Sequence, residues 1–196
     1  MDYVKEFLND EKPEIMLIQE TWLVKKNMDV LHNVHDAYLC TGKSGVPDDH
    51  MLMGRPFGGV AILWHKSLAG CIEVIPVKSL RINAVLLTLA HGSKLLIINT
   101  YFPCDIRRIS EVSDEYEETI SAIEELLISC SYNEVIIGGD FNTDYERNNS
   151  HSKRLQSFVR SNDLKDLWQA NLCKENVTYV TSDMTAKSCI DHFIVS

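Results

Sequence analysis

The chain has 196 residues, a length that suits one domain with a sizeable buried core. Its formal net charge of -9 at pH 7 argues against a broad basic surface that holds nucleic acid non-specifically. The N-terminal segment is too charged for a signal peptide, and no apolar run approaches the length of a membrane span. The six cysteines are scattered without ligand-like spacing, which is typical of reduced thiols in an intracellular protein.

The first half of the chain alternates short apolar runs with polar turns. Apolar residues at helical spacing over residues 2–9 predict an amphipathic helix that Pro13 ends. The segment from Ile15 to Gln19 is almost continuously apolar and predicts a strand buried on both faces, which delivers Glu20 to its C-terminal end. Further strands are predicted at 37–41, 60–64, 72–77, 84–90 and 95–100.

The second half of the chain contains the clearest helix. An apolar stripe predicts this helix over residues 111–130, and a second helix is predicted over 152–161. The last two strands are predicted at 177–180 and 189–195. Because strands follow strands directly more often than helices follow strands, the pattern favours packed mixed sheets over a doubly wound sheet.

The segment V-I-I-G-G-D-F-N-T-D (135–144) carries the strongest chemical signal. Its apolar half predicts a buried strand, and Asp140 and Asn142 follow where that strand leaves the sheet. An Asp-x-Asn pair supplies one anionic oxygen and one neutral amide near a shared point, which suits a phosphate held beside a metal ion. The structural alternative is an Asx-turn that closes the strand.

Three acidic residues, Glu20, Asp140 and Asp191, each follow or interrupt an apolar strand pattern. Buried carboxylates are costly unless they are paired or bound to a metal. A few hard oxygen ligands, with positions left open for water and phosphate, favour magnesium over zinc. The alternative is that each acid caps a turn separately.

Five segments occur in an order that resembles a known family. They are I-M-L-I-Q-E-T-W-L (15–23), G-G-V-A-I-L-W (58–64), I-I-N-T-Y-F-P (97–103), I-I-G-G-D-F-N-T-D (136–144) and S-C-I-D-H-F-I-V-S (188–196). Together they resemble the endonuclease/exonuclease/phosphatase (deoxyribonuclease I-like) superfamily, and most closely the endonuclease domain of non-LTR (LINE-type) retrotransposons. The resemblance implies an α/β fold, a four-layer αββα sandwich of two mixed β-sheets, with residues 1–196 as a single domain.

The resemblance also implies roles for individual residues. Glu20 corresponds to the metal-binding glutamate, and Tyr101 to the tyrosine whose hydroxyl contacts the scissile phosphate. Asp140 corresponds to the aspartate that positions or deprotonates the attacking water, and Asn142 to the asparagine that holds the phosphate. Asp191 corresponds to the aspartate that orients a catalytic histidine. The implied reaction is hydrolysis of a phosphodiester in DNA assisted by Mg²⁺, with Mn²⁺ as the alternative metal.

The sequence departs from the family at both ends. Family members begin with a strand that carries an asparagine and end with a strand that carries Ser-Asp-His, and neither is present. We therefore expect a domain truncated at both ends, which puts its activity in question. Because adjacent side chains of a strand point to opposite faces, His192 is not expected to serve the site that Asp191 faces.

Three functions stay open at this stage. They are DNA nicking by a retrotransposon-derived endonuclease domain, hydrolysis by a phosphatase or lipid phosphodiesterase of the same fold, and a non-catalytic remnant. The first implies a reverse transcriptase domain in the parent polyprotein and an intracellular location in the nucleus. Basic residues that could contact a phosphate backbone are Arg107, Arg108, Lys153 and Arg154. The tryptophans expected in the core rather than on a base-stacking surface are Trp22, Trp64 and Trp168.

Overall fold

The computed structural model describes residues 1–47, 54–104, 113–170 and 177–196. Its α-helices are α1 (Asp2–Asp10), α2 (Asp29–His32), α3 (Asp114–Ser129) and α4 (Ser150–Ser161). Its strands are β1 (Ile15–Gln19), β2 (Tyr38–Lys43), β3 (Val60–His65), β4 (Ile72–Ile75), β5 (Ile82–Thr88), β6 (Lys94–Tyr101), β7 (Glu134–Asp140), β8 (Lys165–Asp166), β9 (Tyr179–Val180), β10 (Lys187–Ser188) and β11 (Asp191–Val195). Short 3-10 helices lie at Lys25–Asn27, Lys66–Leu68 and Tyr145–Arg147.

In the part of the chain that the structure describes, the strands form two sheets and one short ribbon. The larger sheet has the order β4-β5-β6-β7-β11-β8 and is mixed, because β6 and β7 run parallel while their other neighbours run antiparallel. The smaller sheet has the order β1-β3-β2 and is antiparallel throughout, whereas the sequence predicted a mixed sheet here as well. The ribbon pairs β9 with β10. The predicted α/β class is confirmed.

Apolar side chains arrange these elements in four layers. The two sheets pack face to face through a core of Ile62, Trp64, Val85, Leu87 and Ile97. The outer face of the smaller sheet packs against α1 and α2 through a core of Leu8, Leu31, Val34, Tyr38, Ala61 and Leu63. The outer face of the larger sheet packs against α3 and α4, which contribute Tyr116, Ile120, Ile123, Leu155 and Phe158. The order is therefore helix, sheet, sheet, helix.

The structure agrees with the sequence on most elements and differs in the burial of β1 and in two short elements that the sequence did not predict. Strand β1 has the predicted bounds, but its five residues are all half-buried because β1 lies at an edge of the smaller sheet rather than inside it. Helix α3 begins at Asp114, and residues 111–112 of the predicted helix lie outside the described ranges. Helix α2 and strand β8 are too short for the sequence pattern to reveal.

The helices in the described ranges also bear on membrane insertion. None of them is long and apolar enough to cross a membrane.

Two glycines at the end of β7 let this strand lie close to its neighbours. A Cβ on Gly138 would lie 2.6 Å from Leu17 and 2.7 Å from the ring of Phe193. A Cβ on Gly139 would lie 2.0 Å from the carbonyl oxygen of Thr100, and the φ of Gly139 is +146°. Side chains rarely adopt that backbone conformation, so both the space and the dihedral require glycine here.

We expect Gly139→Ala to lower the free energy of unfolding by about 3 kcal/mol, because the new methyl group overlaps a rigid backbone carbonyl in addition to the dihedral strain. The matched control is Gly92→Ala, whose φ is +84° but whose added Cβ meets nothing within 4 Å. This control should lose only about 1 kcal/mol. Urea denaturation of both variants measures the difference, and equal losses would contradict the close approach.

Candidate active site at the shared end of the two sheets

Three of the predicted site residues lie side by side on neighbouring strands. In the sheet register, Tyr101 at the end of β6 pairs with Asp140 at the end of β7. Asp191 at the start of β11 pairs with the same Asp140 from the other side. Residues directly opposite each other across a ladder point to the same face of the sheet. The row Tyr101, Asp140 and Asp191 therefore presents its side chains on one face, toward the smaller sheet.

Glu20 reaches this row from the smaller sheet. It follows β1 directly, and its Oε1 accepts a hydrogen bond of 2.7 Å from the hydroxyl of Tyr101. The two sheets are joined nearby by Asn99, whose Nδ2 donates to the carbonyl oxygens of Ile18 and Ala61 at 2.9 Å each. Sequence reasoning missed Asn99, although an asparagine within the apolar run L-L-I-I-N was a detectable signal.

Asn142 is held against Asp140 by its backbone and its side chain. Its N–H donates to Oδ1 of Asp140 at 2.7 Å, and its Nδ2 donates to Oδ2 of Asp140 at 3.2 Å and to the Phe102 carbonyl at 2.9 Å. The φ of Asn142 is +48°, a left-handed conformation that asparagine tolerates well. The Asx-turn considered as a structural alternative is therefore present, and it brings both side chains together at the end of β7.

Cys104 adds a contact that the sequence did not indicate. Its thiol donates to Oδ1 of Asn142 at a sulfur–oxygen distance of 3.3 Å. This bond fixes which end of the Asn142 amide faces Asp140, because the oxygen is engaged on the opposite side. Cys104 is exposed as a residue, but the protein atoms around its sulfur partly exclude water, and this desolvation together with the nearby charge of Asp140 raises the pKa of the thiol.

Burial and neighbouring negative charge raise the proton affinity of Asp140 and Asp191. Burial raises the pKa of Asp140 to about 7, and the negative charges of Asp191 and Glu20 add to the effect. The N–H of Asn142 opposes the shift by bonding the ionised form. Burial also raises the pKa of Asp191. This excess of negative charge makes the site favourable for a cation.

The donor atoms fit a hard divalent cation. In the described ranges, no group of three or more histidine, cysteine, aspartate or glutamate side chains is arranged to hold a metal by itself. Mg²⁺ does not need such a group, because it keeps several waters and binds through one or two carboxylates together with a substrate phosphate. Glu20 and Asp140 offer carboxylate oxygens beside the amide of Asn142, so the site fits Mg²⁺ or Mn²⁺ better than zinc.

His192 lies on the opposite face of β11 from Asp191, as strand alternation predicts. Its side chain is buried, with Nδ1 at 2.7 Å from Oδ2 of Asp166 and Nε2 at 2.8 Å from the carbonyl oxygen of Thr143. Both ring nitrogens are therefore engaged within the protein. His192 joins β11 to β8 and to the loop after β7, and it does not point into the site.

The tryptophan prediction is wrong for Trp22. Its side chain is 43% exposed, because Glu20 and Trp22 both adopt left-handed backbone conformations, each with φ of +52°, and turn the chain outward after β1. Trp64 is buried as predicted, and Trp168 is half-buried with its indole N–H donating to the carbonyl oxygen of Asp191.

Of the four basic residues predicted to contact a phosphate backbone, two lie in the described ranges. Arg154 is engaged by Glu117, with Nε at 2.8 Å from Oε2. Lys153 is exposed on α4, and Arg107 and Arg108 lie outside the described ranges.

The raised pKa of Asp140 predicts a pH dependence of stability. Because its pKa is about 7 in the folded protein and 3.8 ordinarily, the stability it contributes is present below pH 3.8 and is lost as pH rises through about 7. Without divalent cations, Asp140→Asn should therefore become progressively more stable than the wild type over this interval. Urea denaturation across the pH series measures the difference. Addition of Mg²⁺ should reduce it, and a difference independent of pH would contradict the burial of an ionisable Asp140.

The buried contact of His192 predicts a stability loss that a surface pair does not give. Asp166→Ala should lower the free energy of unfolding by about 3 kcal/mol, because it leaves a buried imidazole without its partner. Glu117→Ala removes the partially exposed pair with Arg154 and should cost less than about 1 kcal/mol. Urea denaturation compares the two variants, and similar losses would show that the contact between His192 and Asp166 is not structurally important.

Solved structures of similar fold cover nearly the whole chain. An AP endonuclease from Leishmania major is 14% identical with a TM-score of 0.76, covering 98% of this chain and 72% of its own. A 3′ phosphatase from Neisseria bound to a product DNA hairpin is 17% identical with a TM-score of 0.66. The match covers 100% of this chain and 80% of the phosphatase chain. The endonuclease domain of TRAS1, a telomere-specific non-LTR retrotransposon, is 16% identical with a TM-score of 0.66. The match covers 97% of this chain and 76% of the TRAS1 chain.

At these identities the solved structures establish the fold, and family membership comes from the sequence. No curated protein matches the chain in sequence. The model of the Endonuclease/Exonuclease/phosphatase family matches residues 1–196. The chain therefore belongs to the endonuclease/exonuclease/phosphatase family.

Proposed function

We propose that residues 1–196 act as one domain that hydrolyses phosphodiester bonds in DNA with Mg²⁺, or with Mn²⁺ in its place. The observation that carries the proposal is the row formed by Tyr101, Asp140 and Asp191, with Asn142 and Glu20 bonded to it at the shared end of the two sheets. These groups combine a proton acceptor with two hydrogen-bond donors for a phosphate. The negative charge around them favours a cation.

Each residue has a separate task in this reaction. The carboxylate of Asp140 takes the proton of a water whose oxygen attacks the phosphorus, while the bond from phosphorus to the leaving oxygen breaks. When the phosphate binds, the hydroxyl of Tyr101 turns away from Glu20. Nδ2 of Asn142 likewise turns away from the Phe102 carbonyl. Both then donate hydrogen bonds to the non-bridging phosphate oxygens as negative charge develops on them. Asp191 adds its charge beside Asp140 and, by resemblance to the family, would orient a histidine.

The metal would be held mainly by Glu20, with Asp140 close by. When bound, Mg²⁺ supplies positive charge that stabilises the phosphate and the leaving oxygen. Before the phosphate binds, the hydroxyl of Tyr101 donates to Glu20 and sets the direction of this carboxylate. Burial and the bond to Glu20 both raise the pKa of the Tyr101 hydroxyl, so this residue acts as a hydrogen-bond donor rather than as a base.

Fold similarity supports DNA as the substrate. The similar structures include an AP endonuclease and the TRAS1 endonuclease domain. Similarity to TRAS1 also supports a retrotransposon origin, in which this domain would act beside a reverse transcriptase domain of the parent polyprotein. A DNA target would place the protein inside the cell, in the nucleus.

A second candidate is removal of a phosphate from a DNA 3′ end. It is favoured by the similarity to the Neisseria 3′ phosphatase bound to a DNA hairpin. The same residues would serve this reaction, because attack of water on a phosphomonoester needs the same proton acceptor and the same hydrogen-bond donors to the phosphate oxygens. The two activities differ only in the group that leaves the phosphorus.

The test is relaxation of supercoiled plasmid by this chain. We expect Mg²⁺-dependent conversion to open circles, lost in EDTA and reduced about 100-fold or more in Asp140→Asn, because that change removes the proton acceptor while keeping the size of the side chain. The matched control is Asp163→Asn, a change from the same acid to the same amide at an exposed position after α4. It should nick plasmid at the wild-type rate.

Each alternative has its own outcome in this experiment. Equal nicking by the wild type and Asp140→Asn contradicts the site assignment. Release of phosphate from a 3′-phosphorylated oligonucleotide without nicking supports the phosphatase candidate. Absence of both activities in a folded protein supports a non-catalytic remnant.

A further inference from the structure

Two exposed aromatic side chains lie at the rim of the candidate site. Trp22 is 43% exposed and Phe57 is 49% exposed, although large aromatic residues are usually well buried. Phe57 lines a cavity of about 820 Å³ whose other lining residues include Arg81, Tyr101 and Cys104. Trp22 lies two residues after Glu20 in the chain. The aromatic pair therefore adjoins the place where a phosphate is proposed to bind.

Backbone hydrogen bonds fix the two aromatic segments relative to each other. The N–H of Trp22 donates to the carbonyl oxygen of Gly58 at 2.9 Å, and the N–H of Thr21 donates to that of Gly59 at 3.3 Å. Trp22 is held with φ of +52°, a conformation that costs free energy for a residue other than glycine or asparagine. A bulky apolar side chain is thus maintained in solvent by a strained backbone, and strain of this kind concentrates at functional sites.

Arg55 completes this surface. Its guanidinium carbon lies 3.6 Å from the centroid of the Trp22 ring, which is the geometry of a cation–π contact. Nucleobases stack both on aromatic rings and on guanidinium planes, and a guanidinium also attracts a neighbouring phosphate. The adjacent cavity adds no net charge, because its lining contains Glu115 and Glu118 as well as Lys78 and Arg81, and Arg81 pairs with Glu115 at 2.9 Å.

The charge of the whole chain favours stacking as a source of affinity. A net charge of -9 weakens attraction to a nucleic acid backbone, whereas stacking depends little on net charge. In a duplex the faces of the bases are already covered by their neighbours. Only an unpaired base offers a free face to an aromatic side chain.

We infer that Trp22, Arg55 and Phe57 form a stacking platform for an unpaired nucleobase next to the phosphate that the site cleaves. The inference rests on the proposed function and deepens it, since it names single-stranded or locally unpaired nucleic acid as the substrate class. The platform binds the base, and Glu20 lies beside the adjoining phosphate.

The test compares two labelled strands that share a backbone. One is a ten-nucleotide oligo-dT, and the other is a strand of equal length in which every base is replaced by hydrogen. Fluorescence anisotropy measures both in Mg²⁺, with Asp140→Asn in every protein to limit cleavage and with strand integrity checked on a gel. The protein should bind oligo-dT about tenfold more tightly than the baseless strand, since stacking on one aromatic residue contributes roughly that factor.

Variants of single aromatic residues show which side chain causes the preference for oligo-dT over the baseless strand. Trp22→Ala should bind the two strands equally, whereas Trp22→Tyr should keep most of the preference because it retains an aromatic ring. Tyr3→Ala, which removes an aromatic side chain that is 76% exposed on α1, should keep all of it. Circular dichroism checks that each variant is folded, and quenching of Trp22 fluorescence by oligo-dT, absent in Trp22→Tyr, gives a second measurement that needs no alanine variant.

Two results would overturn the platform. One is equal binding of both strands by the protein with Trp22 intact, and the other is a base preference that persists in Trp22→Ala. Either result can occur while plasmid nicking is retained, so the platform can fail without the proposed function. Conversely, absence of nicking leaves the ratio of the two affinities measurable.

Discussion

A buried amide between the two sheets holds the site together. Asn99 of β6 is fully buried, and its Nδ2 donates to Ile18 of β1 and to Ala61 of β3. An amide that lost such partners inside the protein would cost about 1–3 kcal/mol, so these bonds strongly favour one placement of the sheets. Glu20 lies two residues beyond Ile18. Tyr101 lies two residues beyond Asn99, so the same bonds bring the ends of β1 and β6 together.

Adjacent side chains of strand β11 point to opposite faces of the sheet, so one face contributes to the candidate site and the other holds the strand in place. Asp191 faces the space between the sheets beside Asp140, and its next neighbour His192 faces the helices. The buried contact of His192 with Asp166 and with the carbonyl oxygen of Thr143 fixes β11 to the loop that follows Asn142. The contacts of His192 therefore hold the strand that carries Asp191, whose pKa is raised by burial.

The sequence predicted the parts of the site that depend on local pattern. An apolar run that ends in two glycines located β7 and placed Asp140 and Asn142 at its end, because strand burial and turn chemistry are local properties. Asn99 was missed, because its role depends on partners about forty and eighty residues away in the chain. Trp22 was expected in the core, because hydrophobicity alone does not reveal a left-handed backbone that turns a side chain outward.

The exposed Trp22 and the clustered carboxylates are consistent with a single electrostatic constraint. Under the proposed function, an acidic protein binds an acidic polymer and needs positive charge where the phosphate lies. The protein places carboxylates there instead, and burial, together with the charges of Asp191 and Glu20, raises the pKa of Asp140. A bound cation corrects the charge only locally, because the field of a single ion is screened within about 10 Å in salt solution. Affinity beyond that distance must come from contacts that do not depend on charge. The proposed stacking platform, which includes the exposed Trp22, would supply such contacts beside the proposed phosphate site, and only for bases that have left the duplex stack.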